Sequence, residues 1–381
     1  MTDSVHLPEQ AAVRGLLRAV GEALGGPVPR EWREAIKAVP RHNFLPERIW
    51  LADDSGDYEA CDLPTAHDCW FGAAYADVPV VTQVNDGQES PDPWPSSSAS
   101  TPSVVVRMLC DLDVRPGMRV LEIGTGTGWN AALLAHRLGP ENVVSVEIDP
   151  DVARQARASL YAAGLGADVI CGDGADGWRR RAPYDRIVST CSVRRVPRAW
   201  IEQTAPGGVV LTPWDSPMIC WGLLRLTVGL DRTAQGRFGP HSAFMLMRTQ
   251  RQDLRIFRDV VGDEHVPDES RTSFDPRQVT GDAWEARFAL GLRLGEVWTA
   301  WEEDAARLWV ATTDARSWAA VDPDGTVRQY GPRRLWAEVE EAHRWWDRQG
   351  RPGPERFGLT VTPAGQQVWL DDPSRTVRRG D

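Results

Sequence analysis

A glycine-rich segment that follows an apolar run is the part of this sequence best suited to bind a small-molecule cofactor. The segment VLEIGTGTGWNAALLA places Gly124, Gly126 and Gly128 between a predicted strand and a predicted helix. Glycine lets a backbone turn tightly and approach a ligand closely, although such a motif is weak evidence when it stands alone. Two acids strengthen it, because Glu122 precedes the glycines and Glu147 follows Gly128 by 19 residues at the end of the next strand. An acid at the second position can accept hydrogen bonds from both hydroxyls of a ribose.

The same region discriminates between two classes of cofactor. A pyrophosphate nucleotide such as NAD is held by a helix N-terminus, whereas S-adenosylmethionine has no phosphate and carries a positive charge. The acid Glu122, the sequence GTGTG and the pair Asp173-Gly174, which ends the third strand where an adenine would lie, favour S-adenosylmethionine. The alternative is a glycine-rich turn in an inactive α/β domain.

A hydroxyl-rich segment precedes the helix that comes before the glycine motif. Ser100 and Thr101 stand immediately before Pro102, and proline is favourable at the first position of a helix. A hydroxyl beside a helix N-terminus can bind a carboxylate with help from the helix dipole, or it can only cap the helix. By propensity alone, capping is the commoner role for Ser100, and Thr101, immediately before Pro102, is a natural N-cap.

The elements that must position these residues alternate between strands and helices. Strands are predicted in the segments MRVLEIG, VVSVEID, ADVICGDG, YDRIVST and GGVVLTPW. A helix is predicted after each of the first two strands. This alternation predicts a parallel, doubly wound sheet. Two further strands, 219–228 and 242–249, are expected to be antiparallel at its edge.

We therefore predict an α/β protein with a Rossmann-like, doubly wound sheet in three segments. Residues 1–100 form a helical and loop-rich region, 101–250 a cofactor-binding core and 251–381 an α+β accessory region. Between 51 and 100 the sequence predicts mostly loop, and within it both order and disorder of 86–97 stay open.

Composition narrows the classes of function. The chain has 381 residues, 42% of them hydrophobic, and a net charge of −11, which disfavours non-specific binding of nucleic acid. No apolar run approaches the roughly 20 residues that span a membrane, and the N-terminus does not resemble a secretory signal. Six scattered cysteines fit a reduced, cytoplasmic protein, and Cys61, His67 and Cys69 fall short of a four-ligand zinc set.

Taken together, several segments resemble the protein-L-isoaspartate O-methyltransferase family over about residues 10–250. The resemblance is carried by VPRHNFLPE (39–47), AYADVPVVTQ (74–83), SASTP (98–102), EIGTGTGWNAALLA (122–135) and the pair GDGADGW (172–178) with APGGVVLTPW (205–214).

The resemblance implies transfer of a methyl group from S-adenosylmethionine to an isoaspartyl carboxylate, whose ester then collapses to a succinimide. It implies a catalytic role for Ser100, with substrate contacts at Ser98 and Thr101. Substrate contacts are also expected at Thr82 and Arg194, where the chain departs from the family; the alternative for Arg194 is a solvated loop residue. Glu147 would hold the ribose, Asp173 and Gly174 would border the adenine, and the glycines would pack on the methionyl part. The complete set expected to contact the cofactor is Glu122, Gly124, Thr125, Gly126, Gly128, Asn130, Glu147, Ile148, Asp173 and Gly174; no metal is expected.

Three departures from the family pattern point to a particular substrate. Thr82 replaces an isoleucine and is followed by an insertion, Cys191–Pro197 replaces a small-residue turn, and 251–381 is additional. These features resemble a divergent actinobacterial branch associated with ribosomally made, modified peptides, including graspetides and lanthipeptides. That resemblance implies methylation of an aspartate in a cyclised precursor peptide, with collapse to aspartimide or isoaspartate. The alternatives are an isoaspartyl repair enzyme and an inactive peptide-binding module.

The accessory region is rich in tryptophan, with Trp298, Trp301, Trp309 and Trp336 among the 18 tryptophans of the chain. Exposed tryptophans could bind a peptide, but most are expected to fill a small core. Trp345 and Trp346 are adjacent on a predicted helix, so one of them is expected to be exposed.

Overall fold

The computed structural model describes residues 6–53, 56–90, 93–218, 220–239, 242–280 and 283–377. Contacts divide the chain into two compact units. The first comprises Met1–Thr190 and Ala199–Leu211, and the second comprises Cys191–Arg198 and Thr212–Asp381. These boundaries differ from the segments 1–100, 101–250 and 251–381, which remain a prediction.

The first unit begins with two helices, α1 (His6–Leu24) and α2 (Arg30–Ala38), in the region predicted to be helical and loop-rich. The apolar positions Val13, Leu16 and Val20 of α1 recur at helical spacing and are buried. Pro29 occupies the N-cap position of α2, which is why the two helices are separate.

The segment 51–100, which we expected to be mostly loop, contains regular structure, so that expectation is wrong. Its elements are β1 (Arg48–Ala52), β2 (Tyr58–Asp62), α3 (His67–Tyr75), β3 (Val80–Val84) and β4 (Pro95–Ala99). The strands pair antiparallel in the order β2-β1-β3-β4. Short strands such as PSSSA have no alternation of apolar residues and are recognised only through their partners. The last residues of the segment 86–97 belong to β4. Residues 91 and 92 lie outside the described part of the chain.

A parallel sheet follows, as predicted, and the Rossmann-like α/β fold is confirmed. Its elements are α4 (Pro102–Leu112), β5 (Val120–Ile123), α5 (Trp129–Leu138), β6 (Val143–Glu147), α6 (Pro150–Ala162), β7 (Asp168–Cys171), β8 (Tyr184–Ser189), α7 (Arg198–Gln203) and β9 (Thr204–Asp215). Within the first unit the strand order is β9-β8-β5-β6-β7. Central strand β5 is buried along its whole length, which explains its apolar residues Val120, Leu121 and Ile123; the exception is Glu122.

The second unit contains two antiparallel sheets. Its elements are β10 (Trp221–Val228), β11 (Ala234–Gly239), β12 (Asp268–Arg271), α8 (Trp284–Leu294), β13 (Val297–Glu302), β14 (Arg307–Thr312), β15 (Trp318–Val321), β16 (Thr326–Tyr330), α9 (Leu335–Arg348), β17 (Phe357–Thr362) and β18 (Gly365–Leu370). The strand orders are β18-β17-β11-β10 and β12-β16-β15-β14-β13.

One strand predicted for this region is misplaced. The segment 242–249 is irregular, and its Leu246 forms an isolated parallel bridge with Ser192. The partner of β10 is instead β11, whose sequence AQGRFG carries little apolar signal. The turn at Asp324-Gly325 connects the paired strands β15 and β16, with Gly325 at φ +82°.

Tryptophans fill the core of the second unit, and both members of the Trp345-Trp346 pair are buried. The expectation that one is exposed is therefore wrong. Trp345 lies under the guanidinium of Arg293, 4.6 Å from its ring centre, while Trp346 donates its indole N–H to the carbonyl of Pro352 at 3.1 Å. Different parts of the unit thus cover two faces of α9.

Three further properties concern the cysteines, metal binding and membrane-spanning helices. All six cysteines are free thiols. Within the described ranges, no group of three or more His, Cys, Asp or Glu side chains is arranged to hold a metal ion. The helices seen there also lack the combination of length and apolar character that a membrane span requires.

Candidate active site

The glycine-rich turn connects β5 to α5 in a conformation that needs glycine. Gly124, Gly126 and Gly128 have φ values of +88°, +54° and +87°, which L-residues with side chains rarely adopt. The amides of Gly124 and Thr125 donate to the carbonyl of Val146 at 2.8 and 3.3 Å. The turn is therefore fixed against the end of β6.

Glu147 ends β6 beside this turn and is buried. Its carboxylate accepts the amide of Gly126 at 2.9 Å on one oxygen and the amide of Asp149 at 3.1 Å on the other. A carboxylate at the end of the second strand is suited to accept hydrogen bonds from the hydroxyls of a ribose, and that contact of Glu147 remains a prediction. Ile148, the next residue, is partly buried.

The hydrogen bonds of the turn help to distinguish between the two cofactor classes. The amides of Gly124, Thr125, Gly126 and Gly128 all donate to oxygens of the protein itself. A pyrophosphate needs such amides as donors, and here they are already in use. An adenosyl group attached to a sulfonium needs carboxylate acceptors instead, which Glu147 provides. The donor set therefore fits S-adenosylmethionine.

Glu122 lies beneath the turn and is completely buried. Its carboxylate accepts hydrogen bonds from the side-chain amide of Asn130, at 2.6 Å, and from the hydroxyl of Ser145. Thr125 extends the network through a 2.6 Å hydrogen bond between its hydroxyl and that of Ser145. Burial raises the pKa of Glu122 to about 7, against the opposing effect of the two hydrogen bonds. The structure shows Glu122 and Asn130 supporting the turn; their contact with a cofactor remains a prediction.

Asp173 and Gly174 follow β7 at the same edge of the sheet. Asp173 is partly exposed and accepts the amide of Ala175 at 2.8 Å. Gly174 packs so closely on Ile123 that a Cβ atom would collide with its side chain, and its carbonyl accepts the indole N–H of Trp200 at 2.8 Å. Asp173 is thereby held at the rim predicted to border an adenine.

The hydroxyl-rich segment lies against the glycine turn. The carbonyl oxygen of Ser98, on β4, is 3.6 Å from the position that a Cβ atom on Gly126 would occupy. Thr82 on β3 donates its hydroxyl to that of Ser97 at 3.4 Å, so both strands present hydroxyls here. Ser100 is partly buried and lies in the short connection from β4 to α4. Thr82, Ser98, Ser100 and Gly126, which are predicted to contact substrate or cofactor, thus share one side of the first unit.

Thr101 occupies the N-cap position of α4, but its side chain makes no capping hydrogen bond. The helix N-terminus is served by Asp77 instead, whose carboxylate accepts the amide of Ser103 at 2.7 Å. Thr101 therefore stands at the N-cap position that the sequence predicts, but its side chain does not cap the helix.

Two further residues, the buried Arg41 and the partly buried Asp77, hold this segment and are not predicted by the local sequence pattern. Arg41 lies in the stretch VPRHNFLPE and Asp77 in the stretch AYADVPVVTQ, and these two stretches could have identified them. The guanidinium of Arg41 donates to the carbonyls of Ala73, Ala74, Ala76, Val78, Ala99 and Ser100. Neither residue has a signal in composition or periodicity, because every one of these contacts is distant in sequence.

Gln83 is a third residue that the sequence analysis missed. Its side-chain amide donates to Asp149 at 2.9 Å and accepts the hydroxyl of Ser96 at 3.0 Å. Asp149 in turn accepts the amides of Asp151 and Val152 at the start of α6. Gln83 thus ties the β3–β4 hairpin to the residue that caps α6.

Arg194 belongs to the second unit, where it faces a carboxylate of its own chain. Its guanidinium lies 3.8 Å from Asp215, and its backbone amide donates to Gln250 at 2.8 Å. Burial raises the pKa of Asp215 to about 6, opposed by the charge of Arg194. The predicted contact of Arg194 with substrate remains a prediction.

Comparisons with known proteins agree with this geometry. The family model for protein-L-isoaspartate(D-aspartate) O-methyltransferase matches residues 66–219. Protein-L-isoaspartate O-methyltransferase 2 of Archaeoglobus fulgidus is 36% identical over 186 residues, which are 48% of this chain and 70% of that protein. The enzyme of Ignicoccus hospitalis is 34% identical over 186 residues, 48% of this chain and 73% of that protein.

A solved structure of a protein-L-isoaspartate O-methyltransferase covers 94% of this chain and 100% of its own, with a TM-score of 0.55. At 20% identity this likeness shows the fold alone. The sequence matches carry the family assignment and set aside the alternative of an inactive module. This chain belongs to the protein-L-isoaspartate O-methyltransferase family and, as predicted, is an enzyme that uses S-adenosylmethionine as its methyl donor.

Proposed function

We propose that this enzyme methylates the free carboxylate of an isoaspartyl residue in a protein or peptide, with Ser98, Ser100 and Thr101 as its carboxylate-binding segment. The observation that carries the proposal is the close approach of Ser98 to Gly126. It supports a site in which a carboxylate held by these hydroxyls lies beside the glycine turn. The proposal applies to this chain the reaction for which its relatives are named.

The reaction requires little acid–base catalysis from the protein. Bound S-adenosylmethionine supplies an electrophilic methyl group on a sulfonium. A carboxyl group with an ordinary pKa near 4 is already ionised at neutral pH, so its oxygen needs no general base. The hydroxyls of Ser98 and Ser100 orient that oxygen, and the surrounding chain excludes water. The resulting methyl ester loses methanol when the neighbouring backbone nitrogen attacks its carbonyl carbon, which closes a succinimide.

The decisive experiment compares two linear peptides that differ only in one linkage. The enzyme and S-adenosylmethionine are incubated with an aspartyl peptide and with its isoaspartyl isomer, and methyl esters are counted by mass spectrometry. We expect methylation of the isoaspartyl peptide alone. Methylation of neither peptide, with cofactor binding shown by calorimetry, would contradict the proposal.

Replacement of Ser100 tests the assigned segment. We expect Ser100→Ala to lower kcat/KM for the isoaspartyl peptide by about 10- to 100-fold, because an orienting hydrogen bond is lost. Ser159→Ala, in helix α6, makes the same chemical change away from the segment and should leave kcat/KM unchanged. Equal activities of the two variants would exclude Ser100 from the site.

A second candidate substrate is a normal aspartate in a cyclised precursor peptide, as in the actinobacterial branch that this sequence resembles. The observation favouring it is the β3–β4 hairpin, which carries the hydroxyl of Thr82 and the 44%-exposed Trp94 at the predicted substrate side. A cyclic aspartyl peptide added to the assay tests it, with aspartimide as the expected product. The proposed compartment for either substrate is the cytoplasm, where the six free thiols would stay reduced.

A further inference from the structure

A single buried guanidinium connects distant segments of the first unit. Arg41 is 1% exposed, and its six carbonyl partners lie between 32 and 59 residues away along the chain. The Nη1 atom donates to Ala73, Ala74 and Ala76 at 3.2–3.5 Å. Since the last carbonyls of a helix have no partner within it, these bonds close the C-terminal end of α3.

The Nη2 atom makes a different set of contacts. It donates to the carbonyls of Val78, Ala99 and Ser100 at 3.2, 3.0 and 3.1 Å. None of these three carbonyls belongs to a helix end. Their common bond to one nitrogen fixes the backbone of Ser100 relative to the chain that follows α3.

Arg41 also contacts the start of α5, behind the glycine turn. Its guanidinium carbon lies 5.7 Å from the ring centre of Trp129, the residue after Gly128. The indole N–H of Trp129 donates to the carbonyl of Val39 at 3.0 Å, which holds the ring in place. One side chain therefore touches both the proposed carboxylate-binding segment and the element that carries the cofactor turn.

Asp77 fixes the other end of the same segment. It accepts the amide of Ser103 at 2.7 Å, two residues beyond Thr101. Burial lowers the pKa of Arg41 to about 10, with the charge of Asp77 opposing that effect, so the guanidinium stays protonated at neutral pH. The backbone from Ser100 to Ser103 is thus held at a carbonyl by Arg41 and at an amide by Asp77.

We infer that Arg41 and Asp77 are positioning residues that set the Ser100 hydroxyl against the cofactor turn, and so control binding and alignment of the substrate carboxylate. The inference rests on the proposed function. Neither side chain need touch the substrate. A lysine cannot replace Arg41, because a single ammonium cannot span two sets of carbonyls as the planar guanidinium does.

The test is Arg41→Lys, measured with the isoaspartyl peptide. We expect kcat/KM for the peptide to fall by at least about 10-fold, since small misplacements of a reacting group have effects of this size. The affinity for S-adenosylmethionine should change by less than about two-fold, because Arg41 does not touch the residues expected to bind it. Arg48→Lys, an exposed arginine paired with Asp62 on the neighbouring strands, is the matched control and should behave as the wild type.

A purely structural role for Arg41 gives a different result. It would lower the melting temperature and weaken peptide and cofactor binding in parallel, which would overturn the inference. Unchanged peptide kinetics would overturn it as well. Failure of the proposed function is separate, since the wild-type enzyme would then leave the isoaspartyl peptide unmethylated.

Variants of Asp77 keep the inference testable if Arg41→Lys does not fold. The side-chain oxygen of Asp77→Asn can still accept the amide of Ser103, so this variant should retain most of the wild-type kcat/KM. Asp77→Ala removes the acceptor and should lower kcat/KM for the peptide without a matching loss of cofactor affinity. Equal kcat/KM values for the two Asp77 variants would contradict the positioning role.

Discussion

Glu122 is a buried carboxyl group whose ionisation opposes folding. Burial raises its pKa from 4.5 to about 7, so the folded protein retains a proton that the unfolded chain has lost. Stability that is fully present below pH 4.5 is therefore lost as the pH rises through about 7, by ~3 kcal/mol in total. Glu122→Gln cannot ionise, so the free energy of unfolding of the wild type should fall relative to this variant between pH 5 and pH 8. Urea denaturation of both proteins across that range measures the difference.

The control for this prediction is Glu31→Gln, the same exchange at an exposed position of α2. Other titrating groups are shared by each pair of proteins and cancel in the comparison. A constant difference between the wild type and Glu122→Gln at all pH values would show that Glu122 ionises normally in the folded state.

Helix α6 begins at a side chain that also holds the β3–β4 hairpin, so one substitution there removes two kinds of contact. Asp149 accepts the amides of Asp151 and Val152 and the side-chain amide of Gln83. Asp149→Ala should lower the free energy of unfolding by about 1–2 kcal/mol, the usual effect of losing an N-cap, with some further loss from Gln83. Urea denaturation at constant pH measures it.

Asp149→Asn separates the two contributions. Its carbonyl oxygen can still cap α6, while its NH₂ group cannot accept a hydrogen bond from Gln83. We expect this variant to be more stable than Asp149→Ala and less stable than the wild type. If both variants lose the same stability, the cap contributes nothing and the prediction is wrong.

At the scale of elements, the sequence predicts what is locally periodic or continuously apolar. The strands β5 to β9 are recognised because each contains a short run of apolar residues and the first of them alternate with helices, and the glycine turn because its conformation excludes other residues. The sheet formed by β1 to β4 is missed because its strands are short and mixed in polarity. Trp345 and Trp346 are mispredicted because the sequence does not show that a second face of α9 is covered.

The candidate site divides in the same way. Glu147, the glycines and Asp173 follow strands and could be placed at one sheet edge in advance, and Ser100 came from a resemblance. Arg41, Asp77 and Gln83 could not be derived from local pattern, because each acts through hydrogen bonds to residues more than 25 positions away. Local sequence therefore predicts the glycine turn, whereas the long-range hydrogen bonds around it are visible only in the folded chain.

At the scale of the molecule, the second unit is not built in sequence order. Strand β17 pairs with β11, although more than 100 residues separate them, with Ala234 opposite Val361. Gln366 on β18 then exchanges hydrogen bonds with the backbone of Val196, accepting its amide at 3.2 Å and donating to its carbonyl at 2.7 Å. The last strands of the chain therefore complete a sheet that begins well before residue 250.

A chain that ends at residue 250 tests this arrangement, because it keeps β11 and removes its partner β17. An unpaired strand edge is a template for association, so we expect the shortened protein to aggregate or to melt well below the full chain. Soluble yield, size-exclusion chromatography and thermal unfolding measure the effect, with a chain ending at Val377 as the control that retains β17 and β18. A monodisperse 1–250 protein that melts with the control would mean that β11 needs no partner. Aggregation of the shortened protein, but not of the control, would instead show that the segment after residue 250 is needed for a stable fold.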